Sequence, residues 1–380
     1  MKDLIYLDHA ATSPLLPCVK AEMQRVMELD LGNAAALHGA GQTAKEIVET
    51  ARANIAQLLN CNASEIIFTS GGTEANNTVM EIFRGQKVLI SSVEHPSVRE
   101  AAKARACKVI EITVDQKGRI ELGDLEKKLD ETIGLVSVML ANNELGTIEP
   151  VEEVVKCCKK HNITVHCDAT QAFGKIKVDV NALGVDYLTV SAHKIGGPTG
   201  IGALFVRQGA KFKPLMCGGH QESKRRAGTS NVLAIAGFGT ATKWCWDNWS
   251  CRKWAEVAKL RDMLRERILH EVPYSSCNSP EETCLPNILN MSFQAAEGES
   301  IQLYLDLKGI IVGTGSACAA GDIKPSHTLM ATTGDAEVAH SSIRFSLGLD
   351  TTKEDIERVM AVLPGIVQRL QGISTVKVKE

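Results

Sequence analysis

The sequence is poor in aromatic residues and lacks the patterns that mark secreted, membrane and nucleic-acid-binding proteins. Phenylalanine, tryptophan and tyrosine together make up 4% of the 380 residues, which argues against a base-stacking surface. The net charge is only −3 at pH 7, so no strong field points to a nucleic-acid or membrane partner. The sequence has neither a signal-peptide pattern at its start nor an uncharged apolar run long enough to span a bilayer. We therefore expect a cytoplasmic protein with no membrane and no direct nucleic-acid partner.

The cysteines follow no metal-binding or disulfide pattern. There are twelve, yet no two are separated by just two residues, so the common zinc and thioredoxin spacings are missing. A secreted domain held together by disulfides would be shorter. The sequence thus predicts no metal site. It predicts reduced thiols that are mostly buried as small apolar side chains, such as Cys157 and Cys158 on one helix.

Short apolar segments of strand length alternate with amphipathic segments along most of the chain. The predicted strands are residues 65–69, 87–92, 109–114, 135–141, 164–168, 187–191 and 202–206. The predicted helices include residues 44–59, 98–106, 122–131 and 151–160. Continuous apolar strands that alternate with helices are typical of a parallel sheet covered on both faces. The pattern therefore predicts an α/β fold with a mainly parallel, seven-stranded sheet.

The length of the chain favours two domains. A long helical region at residues 232–271 leads away from the predicted sheet, and a shorter α+β pattern follows it. We predict a large α/β domain at residues 14–255 and a small α+β domain that combines residues 1–13 with residues 256–380. The basic triplet Lys224-Arg225-Arg226 is interpreted as a solvated loop.

One segment that follows a predicted strand is suited to bind phosphate. In open α/β sheets, ligands bind beyond the carboxyl ends of the strands. Ser70-Gly71-Gly72-Thr73 follows the first predicted strand and precedes a helix, where backbone N–H groups and the Thr73 hydroxyl can bind a phosphate. The segment is not a P-loop, because no Gly-Lys-Ser/Thr follows. Taken alone, it is equally consistent with a plain helix cap.

Two further strand ends carry ionisable side chains. Asp168 ends a predicted strand, where it could ligate a metal, cap a helix or pair with a cofactor nitrogen. Lys194 follows the next predicted strand, where burial would lower its pKa and suit it for a Schiff base, although an exposed lysine could also close a strand. A lysine, an acid and a phosphate anchor together form the layout of a pyridoxal-phosphate site.

At these residues the sequence resembles the cysteine desulfurases of the NifS/IscS family, within the class-V aminotransferases. The resemblance covers nearly the whole chain. The matching motifs are residues 6–12, 69–77, 94–95, 142–146, 167–171, 191–194, 226–229, 315–318 and 342–348. The resemblance implies a fold-type I pyridoxal-phosphate enzyme that converts L-cysteine to L-alanine. The sulfur would pass to a cysteine of the enzyme as a persulfide, for delivery to an acceptor protein in iron–sulfur assembly or in nucleic-acid or cofactor thiolation.

The resemblance also implies roles for matching residues. Lys194 would hold the cofactor covalently, Asp168 would pair with its pyridine nitrogen, and Gln171 would contact its phenolic oxygen. His95 would stack on the ring and help to move protons. The phosphate-binding residues would be Gly72, Thr73, Ser191, His193 and, from the other subunit of a homodimer, Thr229. The substrate carboxylate would bind to Asn143 and Arg344, for which a guanidinium group is geometrically suited.

Cys318 is the cysteine that the resemblance singles out as the sulfur carrier. It lies in a stretch of small residues at 312–322 that is predicted to be mobile, whereas a structural cysteine usually sits among larger apolar neighbours. In the family mechanism, the freed Lys194 removes the Cα proton of the substrate. Cys318 then attacks the substrate sulfur as a thiolate, the competent form of the nucleophile.

Two other functions stay open at the level of sequence. The same fold and cofactor would serve a selenocysteine lyase or a C–S lyase that releases sulfide, although a simple elimination needs no nucleophilic cysteine. A non-catalytic scaffold descended from a desulfurase would only bind partners. The presence of Lys194, Asp168 and Cys318 together argues against such a scaffold. The sequence does not name the sulfur acceptor.

Overall fold

The computed structural model describes residues 4–248, 253–315 and 325–375. The strands in these ranges are β1 (Ile5–Leu7), β2 (Ile66–Thr69), β3 (Lys87–Ser91), β4 (Lys108–Ile112), β5 (Ile133–Ser137), β6 (Thr164–Asp168), β7 (Tyr187–Ser191), β8 (Gly202–Val206), β9 (Ser275–Cys277), β10 (Ile288–Phe293), β11 (Ile310–Val312) and β12 (Ser342–Ser346). The α-helices are α1 (Pro17–Met27), α2 (Gly39–Leu59), α3 (Gly72–Ile82), α4 (Pro96–Arg105), α5 (Leu122–Lys128), α6 (Val151–Lys159), α7 (Val180–Leu183), α8 (Gln221–Lys224), α9 (Val232–Asn248), α10 (Lys253–Glu271), α11 (Gly298–Asp306), α12 (His327–Thr333), α13 (Ala336–His340) and α14 (Lys353–Ile373).

The seven predicted strands form one sheet, which confirms the predicted fold class. The strand order is β2-β8-β7-β6-β5-β3-β4, and every neighbouring pair is parallel except the two that involve β8. Because β8 is antiparallel to both of its neighbours, β2 runs in the same direction as β7. The carboxyl ends of β2, β6 and β7 therefore lie at the same edge of the sheet, where ligands bind in such folds.

Both faces of the sheet are covered by apolar side chains. Ile66 and Phe68 of β2 belong to the larger hydrophobic cluster, whereas Ile67 belongs to another that includes residues of α3 and α4. Successive side chains of a strand point to opposite faces, so the two clusters flank the sheet. Cys157 and Cys158 are buried in the larger cluster, as predicted.

A third hydrophobic cluster lies away from the sheet. It joins Ile5 and Leu7 of β1 to residues between Val257 and Leu370, and β1 pairs in parallel with β11. The domain division, with residues 1–13 and 256–380 in the small domain, stays a prediction. Within the described ranges, no helix has both the length and the apolar character that crossing a bilayer requires.

The segment around α8 is more than the solvated loop that the sequence predicted. Arg226 forms a two-pronged ion pair with Glu74 of α3, with N–O distances of 2.9 and 3.1 Å. Glu222 accepts two hydrogen bonds from Arg52 of α2, at 2.6 and 2.9 Å, and these two side chains are only 7% and 9% exposed. Glu222 also has a positive φ of 47°, so its ion pair holds the chain in a conformation that non-glycine residues rarely adopt.

Replacing Arg52 by methionine should lower the free energy of unfolding by about 3–5 kcal/mol, because the Glu222 carboxylate would stay buried without its partner. Urea denaturation of the purified protein measures this change. Arg25→Met is the matched control, since Arg25 pairs with Glu22 on the surface, where an ion pair contributes little. Equal effects of the two substitutions would contradict a stabilising role for the buried pair.

Candidate active site

A cavity of about 850 Å³ lies at the carboxyl edge of the sheet. Ten of the predicted site residues line it: Gly72, Thr73, His95, Asn143, Asp168, Gln171, Ser191, His193, Lys194 and Arg344. Thr229 does not. It lies with Ser70 and Gly200 in a separate pocket of about 200 Å³. Cys318 lies outside the described residues, but Thr314 and Gly315, which precede its segment, line the cavity.

Lys194 reaches the cavity from the short 3-10 turn that follows β7. Its Nζ donates hydrogen bonds to the carbonyl oxygens of Ala10 and Ala11, at 2.5 and 2.7 Å. Burial and the positive charge of Arg344 together lower the pKa of Lys194 to about 8, against the opposite effect of Asp8 and Asp168. A substantial fraction of this amine is therefore neutral and nucleophilic near physiological pH, as Schiff-base formation requires.

Asp168 is linked to His95 by a chain of hydrogen bonds through two residues that sequence reasoning missed. The Asn76 amide of α3 donates to Asp168 Oδ2 at 2.8 Å and to Ser97 Oγ at 2.9 Å. His95 Nδ1 lies 2.8 Å from Ser97 Oγ and accepts from the Ser97 backbone N–H at 3.1 Å. Because Nδ1 is an acceptor in this arrangement, the neutral His95 ring carries its proton on Nε2.

The environment of His95 lowers its pKa and so favours the neutral imidazole. Desolvation lowers its pKa and the nearby Lys194 lowers it further, while Asp168 acts in the opposite direction. A neutral imidazole can accept or donate a proton near pH 7, which general acid–base catalysis needs. Asn76 lies within the matching motif 69–77, which gave it no role, and the signal of Ser97 in the sequence is its position in the first turn of the helix that follows β3.

The N-terminus of α3 forms the end of the cavity that is suited to bind a phosphate. Gly71 has a φ of 150°, which favours glycine. A Cβ atom on Gly202 of β8 would lie only 2.8 Å from Gly71 Cα, so glycine at 202 lets the turn approach the sheet. Thr170 Oγ1 is buried with no hydrogen-bond partner among the described residues, and it lies 3.1 Å from an ideal Cβ position at Gly72. A buried hydroxyl without a partner beside a helix N-terminus suits a bound anion.

Gln171 lies beside Lys194. Its Nε2 donates to the Ala10 carbonyl oxygen at 2.8 Å, the same oxygen that accepts from Lys194 Nζ. Its Oε1 accepts from Lys175 Nζ at 3.0 Å. Sequence reasoning missed Lys175, a lysine that is only 3% exposed.

Arg344 of β12 is already paired in this structure. Its guanidinium donates to Asp8 Oδ1 at 2.7 Å and to the Asn143 carbonyl oxygen at 3.1 Å. Its Nε is buried with no hydrogen-bond partner in the described part of the chain. A carboxylate ligand of Arg344 would thus meet an unpaired donor and compete with Asp8, which the sequence did not predict as a site residue.

Glu144 is a further buried carboxyl group on the cavity wall. It accepts a hydrogen bond from Ser326 Oγ at 2.5 Å. Burial raises the pKa of Glu144, while the Ser326 hydrogen bond and the charge of Arg344 lower it. Sequence reasoning noted Glu144 only as part of a motif, without a role.

The cavity as a whole fits pyridoxal phosphate. It combines a lysine with a lowered pKa, a buried carboxylate, an anion-binding helix N-terminus and an unpaired hydroxyl group. These are the groups that the aldehyde, the pyridine nitrogen and the phosphate of this cofactor need. The fit rests on the types of side chain and their distances, without reference to any relative.

Comparison with known proteins identifies the family. A family model described as "Aminotransferase class-V" matches residues 5–359. Cysteine desulfurase IscS of Dictyoglomus turgidum is 42% identical over 386 aligned positions, covering 99% of this chain and 98% of the relative. The chain belongs to the cysteine desulfurase family of class-V aminotransferases. The family predicted from the sequence motifs is thereby confirmed.

One further curated relative and two solved structures are also similar to this chain over most of its length. Cysteine desulfurase IscS of Methanosarcina thermophila is 38% identical and covers 99% of this chain and 95% of its own length. The solved NifS-like protein of Rickettsia africae superposes with a TM-score of 0.89 at 35% identity, over 96% of this chain and 99% of that one. A structure described as SspA in complex with cysteine has a TM-score of 0.79 at 29% identity, over 90% of this chain and 98% of that one.

Proposed function

We propose that the protein is a pyridoxal-phosphate-dependent cysteine desulfurase, which converts L-cysteine to L-alanine and carries the sulfur on Cys318. The observation that supports this proposal most directly is the meeting of Lys194, Asp168 and the N-terminus of α3 in one cavity. The curated relatives named above carry the same activity in their names, and one similar structure holds cysteine.

The residues that would hold the cofactor are Lys194, covalently, Asp168 at the pyridine nitrogen and Gly72, Thr73, Ser191 and His193 at the phosphate. The cofactor would supply an electron sink for the negative charge that develops at the substrate Cα. Asp168 is kept in place for this role by hydrogen bonds from Asn76 Nδ2 and from the Thr170 backbone N–H, at 2.8 and 2.9 Å.

Proton transfer would be carried out by Lys194 and His95. With substrate bound, the Lys194 amine would take up the Cα proton, because its lowered pKa of about 8 leaves a neutral fraction at neutral pH. His95 presents Nε2–H to the cavity, since Ser97 occupies its Nδ1. We propose that His95 donates a hydrogen bond from Nε2 to the substrate, and that it transfers the Nε2 proton once Nδ1 has taken up a proton from solvent, so that the ring passes from imidazolium to neutral imidazole.

The substrate would be oriented by its carboxylate. The Arg344 guanidinium and the Asn143 segment lie on one wall of the cavity, and a guanidinium binds a carboxylate through two parallel hydrogen bonds. Asp8 now holds one of these donors and would release it when substrate binds. The substrate Cα would thereby lie in the same cavity as Lys194.

Cys318 is proposed as the sulfur carrier on its sequence position. Its segment starts after Gly315 and ends before Pro325, and both of these residues line the cavity. Its thiolate would attack the substrate sulfur, so that the C–S bond breaks and its electrons pass to the carbon that becomes alanine. The sulfur then remains on Cys318 as a persulfide, ready for an acceptor protein in iron–sulfur assembly or thiolation.

We also propose that the enzyme works as a cytoplasmic homodimer. The ten cysteines that the structure describes are free thiols, as is usual in a reducing compartment.

Thr229 lies outside the main cavity, in an exposed segment. This position supports the proposal that Thr229 serves the phosphate site of the partner subunit rather than its own.

Cys318→Ala should reduce alanine formation from L-cysteine at least about 100-fold, because no thiol remains to take the sulfur. The variant should still bind cofactor, and L-cysteine should still change its visible spectrum, because Lys194, Asp168 and Arg344 are intact. Alanine analysis, persulfide labelling and absorbance measure the three properties.

Cys107→Ala is the control for this experiment, since Cys107 is an exposed thiol and its loss should leave turnover unchanged. Alanine formation by Cys318→Ala near the parent rate would instead support a C–S lyase or selenocysteine lyase. A parent protein with no visible cofactor band would support the non-catalytic scaffold.

A mixture of Lys194→Ala and Thr229→Ala subunits should regain activity on forming mixed dimers. If Thr229 acts across the interface, one site of each mixed dimer is doubly altered and the other is intact. A mixture of Lys194→Ala and Arg344→Ala subunits is the control. Both residues line the same cavity, so no intact site can form. Recovery no greater than in this control would contradict sharing of Thr229 between subunits.

A further inference from the structure

Lys175 is a buried amine to which the proposed mechanism assigns no role. It is 3% exposed, and among the described residues Gln171 Oε1, at 3.0 Å, is its only hydrogen-bond acceptor. Burial and the charges of Lys194 and Arg344 together lower its pKa to about 7, while Cys245 acts in the opposite direction. No carboxylate is among the groups that shift this pKa. A lysine is rarely buried in this way without a task, because its desolvation is costly.

The hydrogen bond from Lys175 bears on the orientation of the Gln171 side-chain amide. A glutamine amide has an acceptor end and a donor end of nearly the same shape, and its neighbours decide which way it points. Lys175 can donate to the Oε1 end in either protonation state. The Ala10 carbonyl oxygen, at the other end, can only accept, and it takes one of the two Nε2 hydrogens. The two contacts therefore select one orientation of the amide.

The selected orientation matters because of what lies beside it. The Ala10 carbonyl oxygen also accepts from Lys194 Nζ, so the Gln171 amide nitrogen and the Lys194 amine are neighbours on the cavity wall. The second hydrogen of Nε2 is left to a ligand held by Lys194. In pyridoxal phosphate, the phenolic oxygen and the aldehyde carbon that bonds to the lysine are attached to adjacent ring carbons. A hydrogen-bond donor beside Lys194 can therefore contact this oxygen.

We propose that Lys175 is a positioning residue, which holds the Gln171 amide with its N–H donors toward Lys194 and thereby toward the oxygen acceptor of the bound cofactor. This inference rests on the proposed function, because it needs a cofactor on Lys194. Without Lys175, the acceptor end of the amide would be buried without a partner, and the donation into the cavity would weaken.

The visible absorbance of the loaded enzyme tests this role without relying on turnover. A hydrogen bond to the phenolic oxygen stabilises its deprotonated form, so weakening the bond should raise the pH at which the lysine-linked cofactor loses its proton. Lys175→Met should shift the midpoint of this absorbance titration upward by about half a pH unit or more. Lys177→Met is the matched control, because Lys177 is exposed two positions away, and its midpoint should equal that of the parent.

A double-mutant cycle shows whether Lys175 acts through Gln171. Gln171→Ala alone should also raise the midpoint, and adding Lys175→Met to it should cause little further change. An unchanged midpoint in Lys175→Met would overturn the proposal, and so would equal shifts with and without Gln171, since they would indicate a direct effect of charge. If Lys175→Met does not fold, the same cycle with Lys175→Gln decides the matter.

A parent without a Lys194-dependent absorbance band would overturn the proposed function and this inference with it. A normal band that is insensitive to both Lys175 substitutions would overturn the inference alone.

Discussion

The candidate site depends on the hydrogen bond that joins the Asn76 amide to the Asp168 carboxylate, at 2.8 Å. It connects α3 to the end of β6, and the N-terminus of α3 is also the anion-binding end of the cavity. Asp168 is 6% exposed, and a buried carboxylate is tolerated only when its oxygens accept hydrogen bonds. Asn76 and Thr170 supply these bonds. The pairing that stabilises Asp168 therefore also fixes the distance between the acid end and the phosphate end of the site.

The charges around the cavity suit an anionic cofactor and an amino-acid carboxylate. Lys194, Arg344 and Asp168 line the cavity, Asp8 is paired with Arg344, and Lys175 lies behind Gln171. Burial raises the pKa of Glu149 to about 8 and the pKa of Glu94 well above its usual value, which disfavours the negative charge of both carboxyl groups. Burial also lowers the pKa of His193 to about 4, which keeps this imidazole neutral. The Arg344 guanidinium on the cavity wall thus suits a carboxylate, and the N-terminus of α3 suits a phosphate.

The sequence predicted the parts of the site that depend on local position. Lys194, Asp168 and the turn at Gly72 follow strands directly, and the carboxyl ends of strands converge at one edge of the sheet. All seven strands were predicted, although several boundaries differ: the predicted strand 135–141 is observed as Ile133–Ser137. The residues that sequence reasoning missed, Asn76, Ser97 and Lys175, act through contacts between separate elements. The apparent loop residue Arg226 was misinterpreted for the same reason, because its partner Glu74 is distant in the chain.

Identification of the lysine that holds the cofactor tests the central claim most directly. Borohydride reduction of the loaded enzyme, followed by peptide mapping, should place the pyridoxyl group on Lys194, whose amine has a lowered pKa and faces the cavity. Lys175 is an internal comparison, since its pKa is also lowered but it is buried behind Gln171. A label on Lys175 or on any other lysine would contradict the account of the site, and so would the absence of a reducible linkage.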